Sequence, residues 1–206
     1  MNFDYQNQIL ENIFTDEEVA QIYEHIESTP DERKHFVEVF SHTAYMNWMP
    51  DNIVDTIVKK AQEASDVPII LRELSFARYK QVSDEYEVKL SPHRDETFRE
   101  PRITVDIQLG GNVSWPIVVE GREYTLQNNQ ALTFAGTHQI HWRTKRTFDK
   151  DDYLDMIFCH FSAADYVENE LGEFDPINPP SFENYPEHDK IMKIRADQWT
   201  EIYNES

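Results

Sequence analysis

The chain has 206 residues, with 39 acidic against 19 basic side chains and a formal net charge of −20. That charge opposes non-specific binding to a phosphate backbone, and no Lys/Arg run offers a basic groove, so a nucleic-acid partner is not expected. The aromatic fraction of 13% supplies core material and argues against disorder, and no stretch approaches the ~18 apolar residues of a membrane helix. The single cysteine, Cys159, excludes an intramolecular disulfide, and Met1 to Tyr5 lacks the charged and apolar regions of a secretory signal. A cytoplasmic protein of one domain follows as the expectation.

Ile9 to Phe14 reads as a short strand, and Thr15-Asp16-Glu17-Glu18 as a capping box. Val19, Ile22, Tyr23 and Ile26 then fall at helical spacing, which predicts an amphipathic helix over 15–28. Phe36 to Tyr45 is β-like, and Met49-Pro50-Asp51 opens a second helix with Ile53, Val54, Ile57, Val58 and Ala61 as its apolar stripe. Ile69 to Lys80 is a strand, and Tyr86 to Leu90 leads into Ser91-Pro92-His93-Arg94-Asp95. Thr97 to Pro101 is a loop at the mouth of any site built there. Ile103 to Leu109 alternates cleanly as a strand, and Glu120-Gly121-Arg122 turns a hairpin. Ala131 to Phe134 and Tyr153 to Phe161 are further strands, and Ile191 to Tyr203 is a terminal helix. Helices followed by many short strands predict a β-sandwich or jelly roll with helices on one face. The expected division is supporting elements over 1–68, a β core over 69–163 and a surface-wrapping extension over 164–206.

His93 and Asp95 are two apart, so an extended strand points both side chains to one face. A histidine returning from a distant strand completes two imidazoles and one carboxylate. That donor set suits non-haem Fe(II) and leaves coordination positions open for reactants. Gly136-Thr137-His138-Gln139-Ile140-His141 offers two histidines for the third position. His160, on the last strand, reads as a core or pocket residue.

The order of these motifs resembles the Fe(II)/2-oxoglutarate-dependent dioxygenases, particularly the prolyl-hydroxylase-like branch. Ala77-Arg78-Tyr79, His93-Arg94-Asp95, Arg102 to Leu109, Asn129 to Gly136 and His141-Trp142-Arg143 follow that family's sequence of segments over about residues 9–162. The resemblance implies a mainly β fold with flanking helices around a double-stranded β-helix (jelly roll) core. It implies Fe(II) on His93, Asp95 and His141, with His138 a turn residue or a partner of the site. It implies 2-oxoglutarate and dioxygen as co-substrates, the distal carboxylate of 2-oxoglutarate meeting Lys150 or Arg143 and the Tyr79 hydroxyl. The family's chemistry couples decarboxylation of 2-oxoglutarate to hydroxylation, so the expected substrate is a peptide or protein side chain such as proline, or a small amino-acid-like metabolite. Two rivals make different demands. A non-catalytic, cupin-like binding module requires no convergence of the three residues, or no basic residue facing them. An Fe(II) oxygenase that does not use 2-oxoglutarate requires metal binding alone.

Overall fold

The structure, a computed structural model, describes residues 7–30, 34–37, 42–46, 49–81, 88–95, 103–164 and 188–205. Two helices come early in the chain. Helix α1 (Asp16–Glu27) starts at Thr15, whose hydroxyl accepts from the Glu18 amide at 3.2 Å while Glu18 accepts from the Thr15 amide at 2.8 Å. Such a cap contributes about 1 kcal/mol. The second Glu18 oxygen accepts the Thr56 hydroxyl at 2.6 Å, which ties α1 to α2 (Asp51–Glu63). Ile22, Ile53 and Ile57 are fully buried, and each contributes roughly 1.5–3 kcal/mol by leaving water.

The strands form two antiparallel sheets. The larger has seven strands in the order β1 (Gln8–Leu10), β9 (Gln130–Phe134), β6 (Ile103–Gly111), β11 (Tyr153–Ala163), β4 (Ile69–Lys80), β3 (His42–Met46), β2 (Lys34–Val37). The smaller has four, in the order β5 (Val88–His93), β10 (His141–Arg146), β7 (Ile117–Val119), β8 (Arg122–Tyr124). The expected hairpin is the β7–β8 pair. Its turn residues Glu120 and Gly121 have φ of 49° and 77°, the left-handed pair that matches the twist of a two-residue connection.

The larger sheet buries one face under α1 and α2. Val105, Ile107 and Leu109 of β6 join Leu74, Phe76, Ile157, Cys159 and Phe161 in that core. The alternate β6 residues Thr104, Asp106 and Gln108 are also buried, but they stand on the other face, toward the smaller sheet. The smaller sheet turns Val118 and Trp142 outward, and with Ile140, just before β10, they pack against Trp199 and Tyr203 of α3 (His188–Glu205). The Trp142 and Trp199 rings lie 5.2 Å apart at 34°. Helices therefore cover the outer faces of both sheets, not one as the sequence predicted.

Further differences are local. The β-like stretch 36–45 is two paired strands, β2 and β3, with a register of Lys34 opposite Tyr45 and Val37 opposite His42. Strand β10 was not expected, because His-Trp-Arg-Thr-Lys-Arg has no apolar alternation to announce it. The predicted Thr97–Pro101 loop and most of the tail before α3 lie outside the described residues.

Candidate active site

Strands β5 and β10 run side by side with His93 opposite His141. Their rings are 4.2 Å apart between centroids. His93 closes β5, and Asp95 lies just beyond the strand end, where its amide donates to the Gly136 carbonyl at 3.0 Å. The two-residue spacing thus acts through a strand terminus and a bonded turn, not along one continuous strand. One ligating atom from each of His93, Asp95 and His141 falls within 4.8 Å of the others. His138 is outside this group; it is buried in the turn between β9 and β10, with its Nδ1 2.8 Å from the Thr137 hydroxyl.

The chain orients each of the three. Nδ1 of His93 lies 2.7 Å from the Ser91 carbonyl, and Nδ1 of His141 lies 3.0 Å from the Gln139 carbonyl. A carbonyl can only accept, so Nδ1 carries the proton and Nε2 keeps its lone pair for a metal. On Asp95, Oδ2 accepts the Thr104 hydroxyl, while Oδ1 is 3.5 Å from His141 Nε2. His160 stands behind the carboxylate, with Nε2 3.5 Å from Asp95 Oδ2 and Nδ1 3.2 Å from Glu73. Two imidazole nitrogens and one carboxylate oxygen, each held by an outer partner, fit a divalent iron.

Electrostatics agrees with that fit. Burial, then the neighbouring His141, pushes His93 down to about 4, so it is neutral near pH 7 and ready to ligate. Burial works against an ionised Asp95, but in the metal-free chain Asp95 raises the neighbouring His141, and a protonated His141 Nε2 beside it holds the carboxyl well below the usual range; a cation bound by the three residues would take the place of that Nε2 proton.

Deeper in the interior, Arg143 follows His141 by one inward step on β10 and is 1% exposed. Its guanidinium donates to the Trp115 carbonyl, lies 3.7 Å from Met156 Sδ, and sits 5.2 Å from the Trp115 ring. Its Nε has no hydrogen-bond partner, and among the described residues no carboxylate lies within ion-pair distance of it. Tyr79 is 1% exposed, edge-on to Trp115 at 5.2 Å, and burial raises its phenol so that it stays protonated. Lys150 is exposed in the turn before β11 and takes no part in this interior.

No protein-family model matches the chain, and no curated protein sequence matches it. Solved structures do. An oxidoreductase of the 2OG-Fe(II) oxygenase family from Burkholderia pseudomallei aligns over 76% of this chain and 84% of its own, with a TM-score of 0.57 and 14% identity. The epimerase SnoN from nogalamycin biosynthesis, described as non-haem and alpha-ketoglutarate-dependent, aligns over 78% and 79%, with a TM-score of 0.62 and 11% identity. A viral collagen prolyl hydroxylase from Paramecium Bursaria Chlorella virus-1 aligns over 77% and 96%, with a TM-score of 0.54 and 12% identity. The chain has the 2OG-Fe(II) oxygenase fold.

Within that fold, Thr104, Asp106 and Glu73 carry no obvious signal in the sequence, whereas His160 reads there as a core or pocket residue and stands beside Asp95. Thr104 and Asp106 belong to the polar half of an alternating strand, and that half proves to face the site and not solvent. Glu73 and His160 are cross-strand partners on β4 and β11. The register that joins them is a property of the sheet.

Proposed function

We propose that the protein is an Fe(II)- and 2-oxoglutarate-dependent oxygenase that hydroxylates its substrate. His93, Asp95 and His141 hold the metal. Arg143 pairs with the distal carboxylate of 2-oxoglutarate, and Tyr79 adds a hydroxyl bond. The observation that carries this reading is Arg143 itself. It is a fully buried guanidinium with an unused Nε and no carboxylate in ion-pair distance among the described residues, one strand step from a metal ligand. A buried cation with no ion pair, its charge only partly offset by Asp106, is costly, and a bound carboxylate reduces that cost. Lys150, exposed in its turn, lacks this argument. A binding module without turnover has no use for such a cation behind a triad.

The bound iron and 2-oxoglutarate supply the oxidising chemistry with dioxygen, and the protein supplies geometry. The two backbone-bonded imidazoles keep Nε2 toward the metal, and Thr104 turns Asp95 so that Oδ1 faces it. Met156, Trp115 and Tyr79 line a dry end for the co-substrate. The charge of the chain bears on its substrate. A net charge of −20 favours a neutral or cationic one, such as a peptide or protein side chain of the prolyl type or an amino-acid-like metabolite, over a nucleic acid. No described helix is long and apolar enough to cross a membrane, and the lone buried Cys159 is compatible with a reducing cytoplasm.

The test is to add 2-oxoglutarate to the anaerobic Fe(II) protein and look for a visible metal-to-ligand charge-transfer band. A band that disappears in His93→Ala supports the reading. Bound metal without a band moves the assignment to an oxygenase of another co-substrate, or to a binding module.

A further inference from the structure

Asp106 is 3% exposed and stands on the interior face of β6, two residues past the Thr104 that holds Asp95. Arg143 stands two residues past His141 on the facing strand β10. Both side chains therefore lie one step inward from the metal ligands, on opposite walls. They feel each other's charge but form no ion pair. Among the described residues no hydrogen bond reaches the Asp106 carboxyl from the protein. Its in-sheet neighbours are Leu132 on β9 and Phe158 on β11, neither able to donate. The titratable and charged groups around it are His141 and Arg143 on β10, Asp95 beyond β5, His160 on β11 and Tyr79 on β4, with the Cys159 thiol on the opposite face of β11.

Asp106 and Arg143 stand one strand step inward of the triad and feel each other's charge, so a dicarboxylate that bridges the triad and Arg143 would lie beside Asp106. This argument rests on the co-substrate site proposed above. The charges of divalent iron, ionised Asp95, a doubly charged 2-oxo acid and Arg143 cancel. An ionised Asp106 then adds one uncompensated negative charge to a buried cavity, beside a ligand already negative. In the ligand-free protein Arg143 partly offsets Asp106 from across the cavity, and the incoming carboxylate takes that compensation away. We propose that Asp106 binds the co-substrate as a protonated acid, donating a hydrogen bond to it, so that binding of the 2-oxo acid takes up one proton. The proton comes from solvent and rests on the Asp106 carboxyl. Burial already favours that form in the empty cavity, where the carboxyl is raised to about 6.

The experiment is an anaerobic titration of the Fe(II) protein with 2-oxoglutarate, followed by the charge-transfer band from about pH 6.5 to about pH 9, with calorimetry in buffers of different ionisation heat. In the wild type the dissociation constant should rise by about tenfold per pH unit on the alkaline side, with about one proton taken up per ligand bound. Asp106→Asn, which donates at every pH, should keep the band, flatten that rise and take up no proton. Equal pH profiles and equal proton counts in the two proteins overturn the proposal and leave the oxygenase reading standing. If no band forms in the wild type, the oxygenase reading falls and this inference falls with it. Should Asp106→Asn fail to fold, the wild-type proton count decides alone: uptake near pH 8 supports the proposal, and none overturns it.

Discussion

Gly136 packs its bare α-carbon against the Asp95 carboxylate, and its carbonyl accepts from the Asp95 amide at 3.0 Å. A Cβ at this position would collide with Asp95 Oδ2 and with the Thr104 hydroxyl. Glycine is required here for close approach. Gly136→Ala should therefore turn the carboxylate out of place. Displacing a group that orients a ligand typically costs 10–100-fold in metal affinity, so Fe(II) or Co(II) affinity measured by calorimetry should fall by that order. Thermal melting of the metal-free protein should change little, because the strands on either side keep their pairing. Unchanged metal affinity would show that Asp95 does not ligate from this position.

The two histidines of the β9–β10 turn should separate cleanly. His141→Ala removes an Nε2 donor from the group of three and should abolish metal-dependent turnover and most metal binding. His138→Ala removes a bond to Thr137 and should leave metal stoichiometry intact, with at most a modest loss of stability. Metal titration of both variants checks this, and the reverse outcome would transfer the ligand role to His138.

Arg143→Met should weaken 2-oxoglutarate binding, read from the charge-transfer band, by roughly 10–100-fold, as expected for one charge-assisted contact of about 1.5–3 kcal/mol. The same change removes a costly buried cation but also the charge that partly offsets Asp106, so the melting temperature of the ligand-free protein should change little. Lys150→Ala should alter neither quantity. Loss of 2-oxoglutarate binding in Lys150→Ala, with Arg143→Met intact, would reverse the assignment.

Asp106 also has a consequence for the empty protein. Its carboxyl is raised in the folded chain to about 6, chiefly by burial, from an ordinary value of 3.8. The folded state then holds a proton that the unfolded state has released, so the unfolded state binds fewer protons and stability falls as pH rises. The loss develops between about pH 4 and about pH 6. Denaturant titration of the metal-free protein across that window should show a steeper decline for the wild type than for Asp106→Asn. Parallel curves would mean that Asp106 does not change its protonation on folding.

Local pattern was enough for much of this protein. The Thr15–Glu18 cap, the apolar stripes of α1 and α2, strand β4 to its last residue and the Glu120-Gly121 turn all follow from interactions within a few residues, which sequence spacing records directly. The His-X-Asp motif and a later histidine were visible for the same reason. What spacing could not decide depends on contacts between distant strands. The alternation of β6 defines two faces but does not say that Thr104 and Asp106 face the protein interior and not water; the sheet's partner decides that. Strand β10 has polar residues because its inner row, His141 and Arg143, faces the site while Trp142 faces α3, and that three-way setting exists only after folding. The choice between Arg143 and Lys150, alike in charge and both close after His141, becomes a question of burial. A guanidinium enclosed between Trp115 and Met156 and an ammonium left in a surface turn are distinguished by tertiary packing, not by their position in the chain.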